Sequence, residues 1–128
     1  MPQLSTQSLA YLGDAVFELY VRTRLLAEGD RPIDALNRKA RRYVSATGQA
    51  VMYHRIKPLL TEAEKTILQR GRNLHGTSRS KAASVTDYRH ATGLEVLFGY
   101  LFANGEKERL DEIFAWCIEN ELETEDRK

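Results

Sequence analysis

Hydrophobic residues recur at helical spacing along almost the whole chain, and sustained alternation of β-branched residues occurs nowhere. The first such stretch begins after Ser5 or Thr6, either of which can cap a helix, and runs to about Ala27, with Gly29 just past its end. Its apolar side chains are Leu9, Leu12, Val16, Leu19 and Tyr20 on one side and Phe17, Val21 and Leu25 on the other. A helix that is apolar nearly all round is usually central in its fold.

Two short helices are predicted next from the residues that punctuate them. Pro32 and Asp34 precede a helix over Ala35–Tyr43, with Asp34 as its N-cap. Ser45 is placed to cap a third helix, which should end near Arg55 because a proline follows soon after.

The middle of the chain contains a further helix and a long polar segment. Thr61-Glu62-Ala63-Glu64 has the spacing of a capping box, so a fourth helix begins there and ends near Gly71. Residues 72–84 are polar, small and basic, which indicates an exposed loop. Ser84–Asp87 then offers another cap for a long helix that reaches Ala103.

The end of the chain completes an all-helical pattern. Asn104-Gly105 ends the long helix, and a last helix is expected over about Glu106–Glu121, followed by an acidic tail over about 122–128 that frays. We therefore predict an all-α fold, a helical bundle with two central crossed helices. The 128 residues suit one domain and one hydrophobic core.

Composition narrows the class of protein. Hydrophobic residues make up 42% and charged residues 29%, which is ordinary for a folded globular domain. We expect no membrane partner, because no apolar run approaches the roughly 20 residues that span a bilayer and the N-terminus does not resemble a signal peptide. Cys117 is the single cysteine, which excludes an internal disulfide and a cysteine-based zinc site and favours a buried thiol in a cytoplasmic protein.

Charge is distributed unevenly along the chain. Residues 35–89 hold twelve lysines and arginines against three acids, although the net charge of the whole protein is only +1. Basic side chains spread over a helix and a loop suit the phosphates of a duplex, and the near absence of aromatic residues in the loop argues against single-stranded bases. The candidate RNA-binding residues are Arg38, Lys39, Arg41, Arg42, Arg70, Arg72, Arg79, Lys81 and Arg89. The alternative is an ordinary solvated surface.

Two carboxylates interrupt apolar stretches. Asp14 lies within the first helix, where an apolar environment is expected, and Glu95 is the one charged residue between His90 and Glu106. Glycines lie near both acids, at Gly13, Gly93 and Gly99. Because a glycine inside a helix usually marks a close approach of backbones, we expect two crossed helices to bring Asp14 and Glu95 together.

Paired carboxylates suit a hard divalent cation, Mg²⁺ or alternatively Mn²⁺, which binds oxygen ligands and is often shared with substrate phosphates. The alternative is that each acid pairs with an arginine, such as Arg22 or Arg89, or faces solvent. Glu18 is four residues from both Asp14 and Arg22, so it either joins the metal site or forms the usual helical ion pair, which we favour. A metal site beside a basic surface indicates metal-assisted hydrolysis of phosphodiesters.

Several separated segments resemble the catalytic domain of the ribonuclease III family. Leu9-Ala10-Tyr11-Leu12-Gly13-Asp14-Ala15-Val16 looks like the family signature, and the resemblance continues in the same order to about Leu110. The other matching segments are Val44-Ser45-Ala46 with Gln49-Ala50, Arg70-Gly71-Arg72-Asn73, and Tyr88-Arg89 with Glu95-Val96-Leu97-Phe98-Gly99-Tyr100. As a whole the chain is similar to the Mini form of the family, a short bacterial form without a double-stranded RNA-binding domain.

The resemblance implies an all-α endonuclease domain that works as a homodimer and uses Mg²⁺ to cut both strands of an RNA duplex, leaving 3′-hydroxyl and 5′-phosphate ends. It also implies maturation of large-subunit ribosomal RNA precursors. Asp14 matches the signature aspartate and Glu95 matches the glutamate of the second acidic motif. Full-length members carry carboxylates at the positions of Gln7, Ala10 and Thr92, so this chain has fewer carboxylates near its site.

The main functional hypothesis is therefore a Mg²⁺-dependent endoribonuclease specific for double-stranded RNA. The alternative from another class is a non-catalytic module of the same fold, which binds duplex RNA or serves in ribosome assembly without Mg²⁺. A third hypothesis is a helical interaction protein with no role on nucleic acids.

Overall fold

The computed structural model describes residues 3–74 and 84–126, with side chains as far as residue 118. Its helices are α1 (Thr6–Glu28), α2 (Ile33–Val44), α3 (Ala46–Ile56), α4 (Glu62–Arg72), α5 (Val85–Ala103) and α6 (Lys107–Asp126), with a 3₁₀ turn over Lys57–Leu59. The described ranges contain no strand, so the all-α prediction is confirmed. None of the helices in these ranges is long and apolar enough to cross a membrane.

Four of the predicted N-caps hold in the structure. The side-chain oxygens of Ser5, Ser45, Thr61 and Ser84 each accept a hydrogen bond from the backbone N–H three residues further on. The side chain of Glu64 also accepts a hydrogen bond from the backbone N–H of Thr61, which completes the capping box. Each cap satisfies a backbone donor that the first turn of a helix leaves unpaired, so these residues determine where the helices begin.

Two predicted helix ends are wrong. The N-cap residue of α2 is Pro32, so Asp34 lies in the first turn, where its charge complements the helix dipole without capping a backbone donor. Helix α6 runs through the predicted acidic tail to Asp126 instead of ending at Glu121, because glutamate is a good helix former.

Helices α1 and α5 are the central pair, and their backbones cross almost in contact. A Cβ atom added to Gly13 would lie 1.6 Å from the carbonyl oxygen of Glu95, and one added to Gly99 would lie 2.1 Å from the carbonyl oxygen of Leu9. Only glycine permits so close an approach. At Gly93 an added Cβ would lie 2.9 Å from a carbonyl oxygen of α4, so the predicted role of all three glycines is confirmed.

The core lies around the same crossing. Phe17 of α1, Phe98 of α5 and Phe114 of α6 meet edge to face, with ring centroids 5.3, 6.1 and 6.4 Å apart. Such aromatic pairs each add about 0.5–1.5 kcal/mol beyond the burial of their surface. Cys117 is fully buried in this core, as predicted.

An ion pair connects α4 with α6 across the bundle. Arg109 donates hydrogen bonds of 2.8 and 2.7 Å to the carboxylate of Glu64. These bonds hold the pKa of Glu64 below its ordinary value. Because Glu64 also closes the capping box of α4, one carboxylate stabilises both the start of that helix and its contact with α6.

We expect Gly13→Ala to destabilise the protein strongly, because the added methyl group would overlap the backbone of α5, which cannot move aside as a flexible side chain can. The free energy of unfolding in urea should fall by about 3 kcal/mol, at the upper end of overpacking effects. Ala15→Ser adds one atom to an exposed position of the same helix and should change this free energy by less than about 0.5 kcal/mol. Equal effects of the two substitutions would contradict the tight crossing.

Candidate active site

The crossing of α1 and α5 brings the two predicted carboxylates into one cleft. Asp14 follows Gly13 in α1, and the carbonyl oxygen that approaches Gly13 belongs to Glu95, so both acids lie at the point of closest approach. Their side chains line a cleft of about 360 Å³. The end of α2, the start of α3 and one face of α5 complete it with Val44, Ser45, Ala46, Thr47, Gln49, Tyr88, Ala91 and Thr92.

The two carboxyl groups strongly affect one another. Glu95 is half-buried, and its carboxyl group lies within hydrogen-bonding reach of that of Asp14. Burial raises the pKa of Glu95 to about 8, and the negative charge of Asp14 and the hydrogen bond between the two groups act in the same direction. A hydrogen bond from Gln49 opposes this rise, whereas the charge of Glu18 adds to it. Without a cation, Glu95 therefore carries a proton for most of the time at neutral pH.

The alternative in which arginines neutralise the two acids finds no support at Glu95. Arg22 pairs with Glu18 at 3.0 Å, and no arginine is among the groups that shift the pKa of Glu95. Asp14 is exposed at the cleft, which corrects the expectation of an apolar environment for it. The reason is that the neighbouring Phe17 turns into the core, whereas Asp14 faces the cleft instead of another apolar helix.

The donor set of the cleft fits a hard divalent cation. Besides the two carboxylates it offers neutral oxygen-bearing side chains, those of Ser45, Thr47, Gln49, Tyr88 and Thr92. Mg²⁺ and Mn²⁺ prefer such ligands, and a positive charge here would offset the repulsion between Asp14 and Glu95. Within the described ranges, no three histidine, cysteine, aspartate or glutamate side chains are grouped to hold a metal. A cation would therefore take most of its ligands from water or substrate, and the role of Glu18 as a ligand stays a prediction.

Gln49 is a residue of the site that the spacing of acids and glycines did not reveal. Its side chain is only 3% exposed, and its hydrogen bond to Glu95 favours the charged form of that carboxylate. A signal was present in the sequence, because Gln49 shares the apolar face of α3 with Met52, Tyr53 and Ile56. A polar side chain at a buried position must be hydrogen-bonded, and here the partner is a predicted metal ligand.

Most of the predicted RNA-binding residues that the structure describes lie on exposed surfaces outside the cleft. Four belong to α2, where Arg38, Arg41 and Arg42 are exposed and Lys39 is half-buried. Helix α2 ends at Val44, which lines the cleft, so the C-terminal end of this basic helix lies in the same cleft as the two carboxylates. Arg89 is exposed next to Tyr88, another residue of the cleft.

The remaining basic candidates lie around the end of α4. Arg70 is exposed, whereas Arg72 is half-buried and its Nε–H donates to Nε2 of His90 at 3.4 Å. Arg79 and Lys81 lie between residues 75 and 83, outside the described residues. The structure therefore places the C-terminal end of α2 and Arg89 beside the cleft and gives Arg72 a different environment.

Comparison with known proteins identifies the family. Residues 7–106 match the family model of the ribonuclease III domain. The chain belongs to the ribonuclease III family. Members of this family are endoribonucleases that act on double-stranded RNA and generally depend on divalent metal ions.

Individual relatives of this ribonuclease III protein match over most of their length. The Mini-ribonuclease 3 of Symbiobacterium thermophilum is 47% identical over 106 residues, which cover 83% of this chain and 82% of that protein. The Mini-ribonuclease 3 of Enterococcus faecalis is 42% identical over 127 residues, 98% and 96% of the two chains. A crystal structure of a Fusobacterium nucleatum protein superposes with a TM-score of 0.85 at 31% identity, covering 96% of this chain and 94% of that one. The resemblance to the Mini form is confirmed.

Within this ribonuclease III domain, the three positions that lack the carboxylates of full-length members have different surroundings. Gln7 is exposed and Ala10 is half-buried, and neither lines the cleft. Thr92 does line it, but its hydroxyl donates to the carbonyl oxygen of Tyr88 at 3.0 Å, so only its oxygen lone pairs are free to face a ligand.

We expect Glu95 to titrate near pH 8 in the metal-free protein, and Asp14→Asn to lower its pKa by removing the neighbouring charge. Because the folded-state pKa lies above the ordinary 4.5, the contribution of Glu95 to stability is fully present below pH 4.5 and is lost as the pH rises through about 8. Carboxyl-carbon NMR measures the pKa, and urea unfolding at about pH 5 and about pH 9 measures the loss of stability. Titration of Glu95 near its ordinary value would contradict the close pairing.

Proposed function

We propose that this protein is a Mg²⁺-dependent endoribonuclease, with Mn²⁺ as an alternative ion, that acts as a homodimer on double-stranded RNA. We further propose that it matures large-subunit ribosomal RNA precursors in the cytoplasm. Family membership and the similarity to Mini-ribonuclease 3 proteins support this proposal.

The single observation that carries the proposal is the meeting of Asp14 and Glu95 in a cleft of oxygen-bearing side chains. These two carboxylates would hold the ion, and Gln49 would orient Glu95 and favour its charged form. When bound, the ion lowers the pKa of a water molecule and neutralises charge that develops on the phosphate. Because Asp14 is exposed, the site lies at the surface, where a duplex too wide for an enclosed pocket can reach it.

Hydrolysis joins the oxygen of water to phosphorus and breaks the bond between phosphorus and the 3′ oxygen, which leaves as a hydroxyl after taking up a proton. The products carry 3′-hydroxyl and 5′-phosphate ends. The protein contributes no covalent bond to this reaction, and its carboxylates act by positioning and by charge.

The basic side chains would bind the duplex and determine which phosphate reaches the cleft. We assign this role to Arg38, Lys39, Arg41, Arg42, Arg70, Arg72, Arg79, Lys81 and Arg89. The position of α2 supports the assignment, because the helix carries exposed arginines and its C-terminal end, at Val44 and Ser45, lines the cleft. Contacts of this kind recognise backbone phosphates and carry little information about base sequence.

We expect Asp14→Asn and Glu95→Gln each to slow cleavage of a long RNA duplex in Mg²⁺ by at least about 100-fold, because each removes a charged ligand at nearly constant size. The matched control is Glu62→Gln, which removes an exposed carboxylate of α4 that pairs with Lys65, and it should retain the wild-type rate. End analysis of the wild-type products should show 3′-hydroxyl and 5′-phosphate groups.

Full activity of a folded Asp14→Asn protein would exclude this mechanism. If the wild-type protein binds duplex RNA equally well with and without a chelator and cleaves none of it, the non-catalytic RNA-binding module is the correct function.

An exposed apolar stripe on α1 supports the homodimer. Tyr11, Leu19 and Leu26 are 86%, 58% and 54% exposed, and their spacing of eight and seven residues places them on one face of the helix. The Glu18–Arg22 ion pair lies on the same face, and a surface that combines exposed apolar side chains with charges is typical of a contact with another chain. Because the stripe runs past Asp14, a second copy paired through α1 would give two clefts related by a two-fold axis, which suits the two antiparallel strands of a duplex.

We expect Tyr11→Ser to weaken self-association by at least about tenfold, because a largely exposed aromatic side chain is a typical anchor of an interface. Sedimentation equilibrium measures the association constant. Leu59→Ser removes another apolar side chain, 50% exposed but outside α1, and should leave the constant unchanged. A wild-type monomer at micromolar concentration would contradict the dimer.

A further inference from the structure

A second group of polar side chains lies at the junction of α3, α4 and α5. We call it the histidine cluster, and its members are Tyr53 and His54 of α3, Lys57 of the following 3₁₀ turn, Arg72 at the end of α4 and His90 of α5. His90 and Glu95 are five residues apart, which places them on different faces of α5. None of the five residues lines the cleft that holds the carboxylates.

The members of the cluster are in direct contact. The ring of His90 lies 4.4 Å from that of Tyr53 and 4.4 Å from that of His54, measured between centroids. The Nε–H of Arg72 donates to Nε2 of His90 at 3.4 Å. The ammonium group of Lys57 lies 5.7 Å from the centroid of the Tyr53 ring. Three helices and a turn therefore converge on one point with groups that can donate hydrogen bonds.

Two buried donors of the cluster have no partner. Tyr53 is 1% exposed and His90 is 7% exposed, and neither the hydroxyl of Tyr53 nor Nδ1 of His90 has a hydrogen-bond partner within the described part of the chain. Because Nε2 of His90 accepts a bond from Arg72, the neutral ring carries its hydrogen on Nδ1. A buried donor without a partner is costly, so these two groups indicate a ligand that accepts hydrogen bonds.

The charges around His90 indicate the sign of that ligand. Burial lowers the pKa of His90, and His54, Arg72 and Lys57 lower it further, whereas Asp87 is the one acid that raises it. Burial also raises the pKa of Tyr53, with Arg72 acting in the opposite direction, so this hydroxyl keeps its hydrogen at neutral pH. The site thus combines cations with neutral donors and one neighbouring carboxylate, a set that suits an anion with several acceptor oxygens.

We propose that the histidine cluster binds a phosphate group, with Tyr53 and His90 donating hydrogen bonds and with Arg72 and Lys57 supplying positive charge beside His54. The backbone of duplex RNA is the source of phosphate that we favour, because Arg72 lies on the same helix as the exposed Arg70. This choice of source rests on the proposed function, whereas the binding of phosphate itself does not.

The test follows the imidazole resonances of His54 and His90 by NMR while inorganic phosphate is added to the wild-type chain, with chloride at equal ionic strength as the comparison. Phosphate should shift both histidines saturably. Tyr53→Phe removes only the unpartnered hydroxyl and Arg72→Gln removes one charge, so each should weaken phosphate binding by about tenfold. The matched control is Lys65→Gln on the same helix as Arg72, and it should leave the affinity unchanged.

A second arm uses duplex RNA and the Asp14→Asn chain, so that no RNA is cut. Displacement of phosphate from the two histidines by the duplex supports RNA as the source, and phosphate binding that the duplex does not disturb overturns that choice. Equal shifts with chloride, or equal phosphate affinity of the wild-type, Tyr53→Phe and Arg72→Gln chains, would overturn the phosphate site. Cleavage of the same duplex by the wild-type protein is measured separately, so a failure of the nuclease proposal is distinguishable from a failure of this one.

Discussion

The structure depends on the close crossing of α1 and α5 at Gly13 and Gly99. With a side chain at either glycine the two backbones could not approach as they do, since an added Cβ would overlap a carbonyl oxygen of the other helix. This crossing carries the aromatic core on one side and places Asp14 next to Glu95 on the other. The same contact that orders the fold therefore also forms the candidate active site.

Bringing two carboxylates together opposes folding unless something compensates their charge. In the protein alone, the compensation is a proton on Glu95 and a hydrogen bond from Gln49, and Asp14 is exposed to solvent. A divalent cation bound between the two carboxylates would replace the proton and relieve the repulsion, so its binding would stabilise the folded protein. The exposure of Asp14 also explains how a site with few protein ligands can be completed by water and by substrate oxygens.

Helix α5 carries residues of the carboxylate cleft on one face and of the histidine cluster on another. Glu95, Thr92 and Tyr88 face a cleft that suits a cation, whereas His90 faces a cluster that suits an anion. The separation is a consequence of helical geometry, because residues five apart cannot share a face. If both sites contact one duplex, the rigid helix would hold the scissile phosphate and a second phosphate at a constant distance from each other.

The sequence by itself determined the helices, most of their N-caps and the pair of acids, because these depend on local hydrogen bonds and on periodicity. Ser45 and Thr61 cap as predicted, and Gly13 and Gly99 mark the crossing. Only the tertiary structure decided that Asp14 is exposed, that Gln49 binds Glu95 and that Arg72 meets His90, since each depends on how separate helices pack against one another. The start of α2 was predicted wrongly because Pro32 and Asp34 are both typical of a helix N-terminus. The end of α6 was predicted wrongly because glutamates are good helix formers, so a run of acidic residues does not by itself end a helix.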